Sequence, residues 1–242
     1  MDAPSQRRSI LAVEGNIGTG KSTTLDGLKK AFQNDSRVVF VDEDVETWNE
    51  YHLLDGLYDK SLHNSMFQAC ALMPQVVKIH EALRNPDVQL VITERSPWSN
   101  SAVFAEVNLD PVHMNAYNYL YQGTIGLLAE HTLDISFAFL NVPVDVAAQR
   151  MAQRARGSEK DVPHEYLSQL ETQHATFLQR IKDRNVPMHK THTLYEPHIV
   201  SPGTKNEVVE SIARYANSRL TPTSPSTVTA YPSMHASIVR CV

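Results

Sequence analysis

Near the amino terminus, Gly15-Asn16-Ile17-Gly18-Thr19-Gly20-Lys21-Ser22 has the spacing G-x4-G-K-[ST], set between a short apolar run and a helical pattern. Each residue type in that order has a chemical reason. Glycines let successive backbone N–H groups turn inward and approach phosphate oxygens with no Cβ in the way. The helix that follows adds the partial positive charge of its amino end. Lys21 neutralises charge on β- and γ-phosphates, and the Ser22 hydroxyl suits a Mg²⁺ shell otherwise made of water and phosphate oxygens. Thr23 continues the nucleotide-binding stretch. Such a cradle implies that a nucleoside triphosphate is bound, and leaves the phosphate acceptor open.

Three further clusters bear on the acceptor. The second apolar run ends in Val41-Asp42-Glu43-Asp44-Val45-Glu46-Thr47-Trp48. Ligands in open α/β sheets bind at the carboxyl ends of strands, so a carboxylate here can face the phosphates. Taken alone, a solvated acidic loop is the plainer reading. A third run ends in Thr93-Glu94-Arg95-Ser96. Glu94 stands where many nucleotide-hydrolysing enzymes place a Mg²⁺-associated carboxylate. The planar fork of Arg95 suits an anionic or hydroxyl oxygen, and a structural ion pair explains the two residues equally well. Arg150, Arg154 and Arg156 end a helical stretch just before Gly157-Ser158. With a phosphate cradle elsewhere in the chain, three guanidiniums there suit a lid over the transferring phosphate.

The elements that must position these residues are legible as alternating patterns. Ile10–Val13, Val38–Val41, Leu90–Thr93 and Ile135–Leu140 are continuous apolar runs, as expected of parallel strands covered on both faces. Helical stretches fall at about 21–33, 61–84, 97–107, 113–131, 143–155 and 163–182. Leu25, Leu28 and Phe32 share one face of the first. Strands alternating with helices predict an α/β fold with a parallel sheet. No repeat or linker divides the chain. Ten of the thirteen residues from Thr221 to Ser233 are Ser, Thr or Pro, which predicts a disordered tail over 220–242. One domain is expected over 9–219, after a flexible stretch at 1–8.

Composition excludes several classes. The 242 residues carry a net charge of -5, from 22 basic and 27 acidic side chains, so no global positive field draws the chain to nucleic acid or an anionic membrane. The most apolar region, Ile125 to Val146, is interrupted by Glu130, His131 and Asp134, and no membrane span is expected. Met1 to Ser9 lacks the apolar core of a signal peptide. Two cysteines far apart, Cys70 and Cys241, read as reduced thiols, which places the chain in a reducing compartment, with the cytoplasm expected. Among the eleven histidines, His189 and His192 have no acidic or cysteine partner at ligand spacing and read as a surface pair.

Taken together, GNIGTGKS, EDVETW, ERS, QRARGSE and VPHEYL resemble the deoxynucleoside kinases of animal and viral type, collinearly over residues 9 to 182. The resemblance implies a P-loop NTPase fold with a five-stranded parallel sheet, flanking helices and a lid. It implies ATP-dependent phosphorylation of a deoxynucleoside 5′-hydroxyl, with Mg²⁺, in nucleotide salvage, by a homodimer packed through helices near 61–84 and 113–131. Glu43 falls on the catalytic base and Trp48 on the wall of the substrate pocket. Glu94 falls near Mg²⁺ and Arg95 near the nucleoside 5′-oxygen. Arg150, Arg154 and Arg156 match the lid arginines. Glu159 corresponds to the lid glutamate that accepts from the sugar 3′-hydroxyl, and Tyr58 to its tyrosine partner. Gln68, after Phe67, matches the amide that reads the base edge, and Phe104 the aromatic that stacks on the base.

The departures from the family concern specificity. Asp44 replaces a usual proline and adds negative charge beside Glu43. Purine-accepting members carry Arg and Asp at two pocket positions, and pyrimidine-preferring members carry apolar residues. Here those positions are Gln75 and Asn100, and Ala71 stands where a bulkier valine occurs. A pyrimidine deoxynucleoside (thymidine or deoxycytidine), accepted with some breadth, is the expected substrate. A nucleoside monophosphate kinase and a catalytically silent nucleotide-binding regulator are the alternatives. The first would need more positive charge around its acceptor, and the second would be expected to lose Glu43 or Arg95. No N-K-x-D stretch specifies guanine, which argues against a GTP-driven switch.

Overall fold

The computed structural model describes residues 8–154, 162–184, 192–194, 198–200 and 203–221. Arg156 and Glu159 lie outside the described residues, as do the first seven residues and the Ser/Thr/Pro-rich segment after Thr221.

Strand β1 (Arg8–Glu14) is the centre of the sheet, and Ile10, Leu11, Ala12 and Val13 are all fully buried. Ile10 and Ala12 belong to one apolar cluster, Leu11 and Val13 to another, so the run is continuous because each face of the strand meets a separate core. The cluster holding Leu11 also takes Leu25 and Leu28 of α1 (Lys21–Ala31) and Ile212 and Ala216 of α10 (Lys205–Asn217). The other face is covered by α4 (Asn64–Arg84), α7 (Pro111–Ile125), α9 (His164–Lys182) and the segment from Trp98 to Ala105.

The sheet is parallel, in the order β2 (Val38–Val41), β3 (Leu90–Glu94), β1, β4 (Leu133–Leu140). The expected count of five is corrected: four strands carry the sheet. Two three-residue segments, β5 (His192–Leu194) and β6 (His198–Val200), pair with opposite ends of β4 at the position a fifth strand would fill. Neither is long enough to register as an apolar run in the sequence.

Register brings the chemistry to one edge. Val13 pairs with Glu94, Glu14 with Phe139 and Val41 with Thr93. The residues following β1, β2 and β3, which are Gly15, Asp42-Glu43 and Arg95, therefore emerge together at the carboxyl end of the sheet. The helix after β1 covers one face and the segment after β3 the other, the arrangement that opens a crevice between neighbouring strand ends.

Two short helices, α2 (Val45–Glu50) and α3 (Leu53–Tyr58), fill the connection from β2 to α4, and no periodicity predicts them. The expected helix at 97–107 divides into α5 (Pro97–Ser99), a π-helical stretch (Asn100–Ala105) and α6 (Glu106–Asn108). The expected helix at 113–131 is α7 followed by a 3₁₀ turn (Gly126–Glu130). Helix α8 (Val144–Arg154) closes on the glycine-rich loop.

Candidate active site

The loop between β1 and α1 is held from several sides. Gly18 has φ +79°, and a Cβ there would collide with the Ala147 carbonyl of α8. A Cβ on Gly15, at φ +144°, would lie 2.9 Å from Thr19 Oγ1 and 3.0 Å from Leu140 O. The Asn16 side chain donates to Leu167 O at 2.8 Å and accepts from the Ile17 amide at 2.8 Å. Thr19 Oγ1 donates to Asn16 O at 2.9 Å. Arg150 reaches the same loop, donating from Nη1 to Thr19 O at 3.4 Å.

The Lys21 ammonium is buried and donates to the Gly15 and Asn16 carbonyls at 3.2 and 2.9 Å. Burial, and then the nearby Arg95 charge, lower its pKa to about 8 against the attraction of Glu43 and Glu94. A phosphate in the cradle would supply the counter-charge that the protein withholds. Ser22 Oγ donates to Glu94 Oε1 at 3.0 Å, joining the two groups expected at the cation. Burial, and then Glu43, raise the Glu94 pKa. A hydroxyl and a carboxylate side by side are hard oxygen donors, and a buried carboxylate beside a second one gains by facing a cation. The pair fits Mg²⁺.

Arg95 organises the opposite wall. It has φ +58°, a left-handed conformation that side-chain-bearing residues seldom adopt. Its Nε donates to Glu43 Oε1 at 2.5 Å and its Nη1 to Gly15 O at 3.0 Å. The guanidinium lies 4.4 Å from the centroid of the Phe104 ring. Beneath it, Glu14 is fully buried and accepts from Ser96 Oγ at 2.6 Å, with its pKa raised by burial. Ser96 also caps the next turn, accepting from the Ser99 amide at 3.1 Å, so the end of β1 and the start of α5 are fastened at one point.

A cavity of about 250 Å³ joins the cradle to a half-apolar cleft. The cradle contributes Ile17, Gly18, Gly20, Lys21, Ser22 and Thr23, and the strand ends contribute Glu43, Glu94 and Arg95. Of the other expected residues, Trp48, Tyr58, Phe67, Gln68, Ala71, Gln75, Asn100, Phe104 and Arg154 also line it, whereas Gly15, Asn16, Thr19 and Arg150 stand behind the loop and not on the cavity wall. Trp48 and Phe67 meet edge to face at 5.3 Å between centroids. Gln68 is buried, and among the described residues its amide has no hydrogen-bond partner, so it faces the cleft unspent. Gln75 Nε2, by contrast, donates to Thr93 Oγ1, Glu94 O and Arg95 O at 3.2, 3.0 and 3.3 Å. Asn100 Oδ1 accepts from Tyr117 OH at 2.5 Å. Asp44 pairs with Lys78 of α4, which draws its charge away from Glu43.

Sequence reasoning missed part of the lining. Leu54 and Leu57 on α3 are cavity walls, and their spacing of three on a short helix is the only signal that could have found them. Tyr166, within the VPHEYL stretch, lines the cavity and accepts from Asn108 Nδ2 at 2.9 Å. Two irregularities present the pocket residues. Pro74 inside α4 lacks an N–H for the carbonyl four residues back, between Ala71 and Gln75. The π-helical stretch carries both Asn100 and Phe104.

Comparison with known proteins gives a consistent picture. The family model described as deoxynucleoside kinase matches residues 11–215. A thymidine kinase of ictalurid herpesvirus 1 is 30% identical over 180 residues, covering 72% of this chain and 76% of its own. A mitochondrial deoxyguanosine kinase of Xenopus laevis is 29% identical over 195 residues, covering 69% and 72%. A solved structure described as deoxyadenosine kinase from M. mycoides, with dCMP and a flexible dCDP bound, superposes with a TM-score of 0.64 at 19% identity. That superposition covers 86% of this chain and 99% of the other, and it establishes the shared fold.

Proposed function

The chain belongs to the deoxynucleoside kinase family, and we propose that it transfers the γ-phosphoryl group of ATP to the 5′-hydroxyl of a pyrimidine deoxynucleoside. The observation that carries the reading is a single cavity lined at one end by Gly18 and Gly20–Thr23 and at the other by Phe67, Gln68 and Phe104, with the Glu43–Arg95 ion pair on its wall.

Glu43 takes the proton from the 5′-hydroxyl as the O5′–P bond forms and the bond to the β-phosphate oxygen breaks, releasing ADP. Arg95 holds the Glu43 carboxylate in place and offers positive charge near the attacking oxygen. A loose phosphoryl transition state is helped more by spread positive charge than by a strong base, and Lys21, Arg150, Arg154 and Arg156 supply it. Ser22 and Glu94 would hold Mg²⁺, which neutralises charge on the β- and γ-phosphates when bound. Trp48 and Phe67 wall the base site, and Phe104, backed by the Arg95 guanidinium, stacks on the base. Tyr58 and Glu159 serve the sugar.

The pyrimidine preference rests on the amides. The Gln75 NH₂ group is committed to backbone and Thr93, and the Asn100 oxygen to Tyr117, which leaves Gln68 to read the base edge with one donor and one acceptor. No charged group stands at either position to select a purine. An already phosphorylated acceptor is disfavoured because Asp42, Glu43, Asp44 and Glu94 all line the cavity. Exposed apolar side chains on α4 and α7, among them Met66, Met73, Val112, Tyr119 and Leu120, support a homodimer built on those helices.

The test is ADP release with ATP and each of the four deoxynucleosides, and with their monophosphates, for wild type and Glu43→Gln. Thymidine or deoxycytidine should give the highest kcat/KM, and the substitution should cost about 10²-fold or more in kcat. Turnover of Glu43→Gln within about threefold of wild type would overturn the role of Glu43, and comparable kcat/KM for the purine deoxynucleosides would overturn the base preference.

A further inference from the structure

At the other end of the sheet, His80 on α4 and His131 at the entrance to β4 face one carboxylate, that of Glu130. His80 Nδ1 and His131 Nε2 each lie 3.4 Å from the same Glu130 Oε1, and all three candidate donor atoms fall within 4.8 Å of one another. Both nitrogens are buried, and neither makes a hydrogen bond. A buried polar atom left without a partner is costly, and two converging on one oxygen call for a shared one.

We propose that His80, Glu130 and His131 form a binding site for a borderline-soft divalent cation, with zinc the best fit, distinct from the Mg²⁺ pair at Ser22 and Glu94. Zinc bonds to nitrogen and oxygen of about 2.0–2.2 Å at tetrahedral angles put donor atoms about 3.3–3.5 Å apart, which is the spacing of each imidazole nitrogen from Glu130 Oε1. Two imidazoles and a carboxylate are a zinc donor set, and the exposed side of Glu130 leaves a fourth position to water.

Place in the fold sets the consequence. His131 precedes β4, whose first residue pairs with Arg8 at the start of β1, whereas the phosphate cradle follows the end of β1. Seven residues of strand separate the two ends, about 20 Å at 3.3 Å per residue. The ion would therefore tie the carboxyl-terminal part of α4 to the strand entrance, bracing the helix whose earlier turns carry Phe67, Gln68, Ala71 and Gln75. The second histidine cluster, His63, Asp110 and His113, is weaker ground. There His113 Nδ1 is already bonded to Asp110 at 2.5 Å and His63 Nδ1 to Ser65 at 2.9 Å.

The experiment strips the full-length chain with chelator, adds zinc chloride at micromolar concentration, desalts, and measures metal by mass spectrometry. Cobalt(II) serves as a spectroscopic probe of the same site. Wild type should retain a zinc ion that is lost from His80→Gln and Glu130→Gln, with affinity lowered about tenfold or more. Cobalt should show the visible bands of a four- or five-coordinate site in wild type only, and the melting temperature should rise with zinc in wild type only. Glu130 is exposed, so its variant keeps the fold if His80→Gln does not. His113→Gln should leave all three readouts unchanged. No retained zinc, zinc unaffected by Glu130→Gln, or zinc lost only with His113→Gln would each overturn the proposal. None of these readouts depends on phosphoryl transfer, so failure here leaves the kinase reading untouched.

Discussion

Arg95 combines three contacts that no other side chain type could make together: an ion pair to Glu43, a hydrogen bond to the carbonyl of Gly15, and a stacked face on Phe104. Only a planar fork of donors on a flat cation does all three. Arg95→Lys keeps the charge and loses the stacking and the second fixed donor. We expect kcat to fall by about 10²-fold, the usual scale for removing one preorganised donor from a site, with a smaller change in the affinity for ATP. Steady-state kinetics against both substrates checks this. An equal loss in both parameters would mean that the arginine acts through the loop and not on the acceptor.

Among the elements, the approach of α8 to the glycine-rich loop is the closest. Because a Cβ at position 18 would run into the backbone of Ala147, Gly18→Ala must displace either the loop or the helix. ATP binding, measured by calorimetry, should weaken at least tenfold, while the chain stays folded because the displacement falls on the loop, α8 and the small cluster of Val144, Met151, Val162 and Leu167, and the buried residues of the two sheet-face cores keep their places. Helix α9 makes a different prediction. His174, buried beside Phe104, donates from Nδ1 to Leu170 O at 2.7 Å, and burial followed by the Arg95 charge lowers its pKa to about 3. Its ordinary value is 6.5, so between the two the unfolded chain takes up a proton that the native chain refuses. Its contribution to stability is complete above about pH 6.5 and is lost as pH falls toward 3, by up to about 1.4 kcal/mol per pH unit. Urea midpoints at pH 7.5 and 5.5 should therefore differ more for wild type than for His174→Gln. Glu14 and Glu94, raised by burial, contribute with the opposite sign, losing stability as pH rises, and cancel in that comparison.

For the molecule as a whole, both faces of the sheet are covered, yet large apolar side chains remain outside. Tyr119 is 83% exposed and Val112 75%, on the same helix as the half-exposed Leu120. Seven and eight residues apart on α7, Val112, Tyr119 and Leu120 share one helix face, and the proposed homodimer would cover it. Sedimentation should find a dimer, and Leu120→Glu should shift it toward monomer with the fold intact by circular dichroism. A monomeric wild type would remove this reading without disturbing the site. Among the described residues no helix is long and apolar enough to cross a membrane.

Local pattern was enough to find the four longer strands, helices α1, α4, α8 and α9, and the glycine-rich turn before α1, because each depends on neighbours within a few residues: apolar runs, helical periodicity, and glycines before a lysine. Val38–Val41 is legible to the residue, and α9 starts within one residue of the expected position. What those elements bring together depends on how they pack in three dimensions. Strand order placed β3 between β2 and β1 and so put Glu43 against Arg95, 52 residues away in the chain. The same packing committed Gln75 and Asn100 to other partners, split the fifth strand position into two short pieces, and set His80 opposite His131. Each of these depends on contacts between segments distant in the chain, for which local spacing carries no signal.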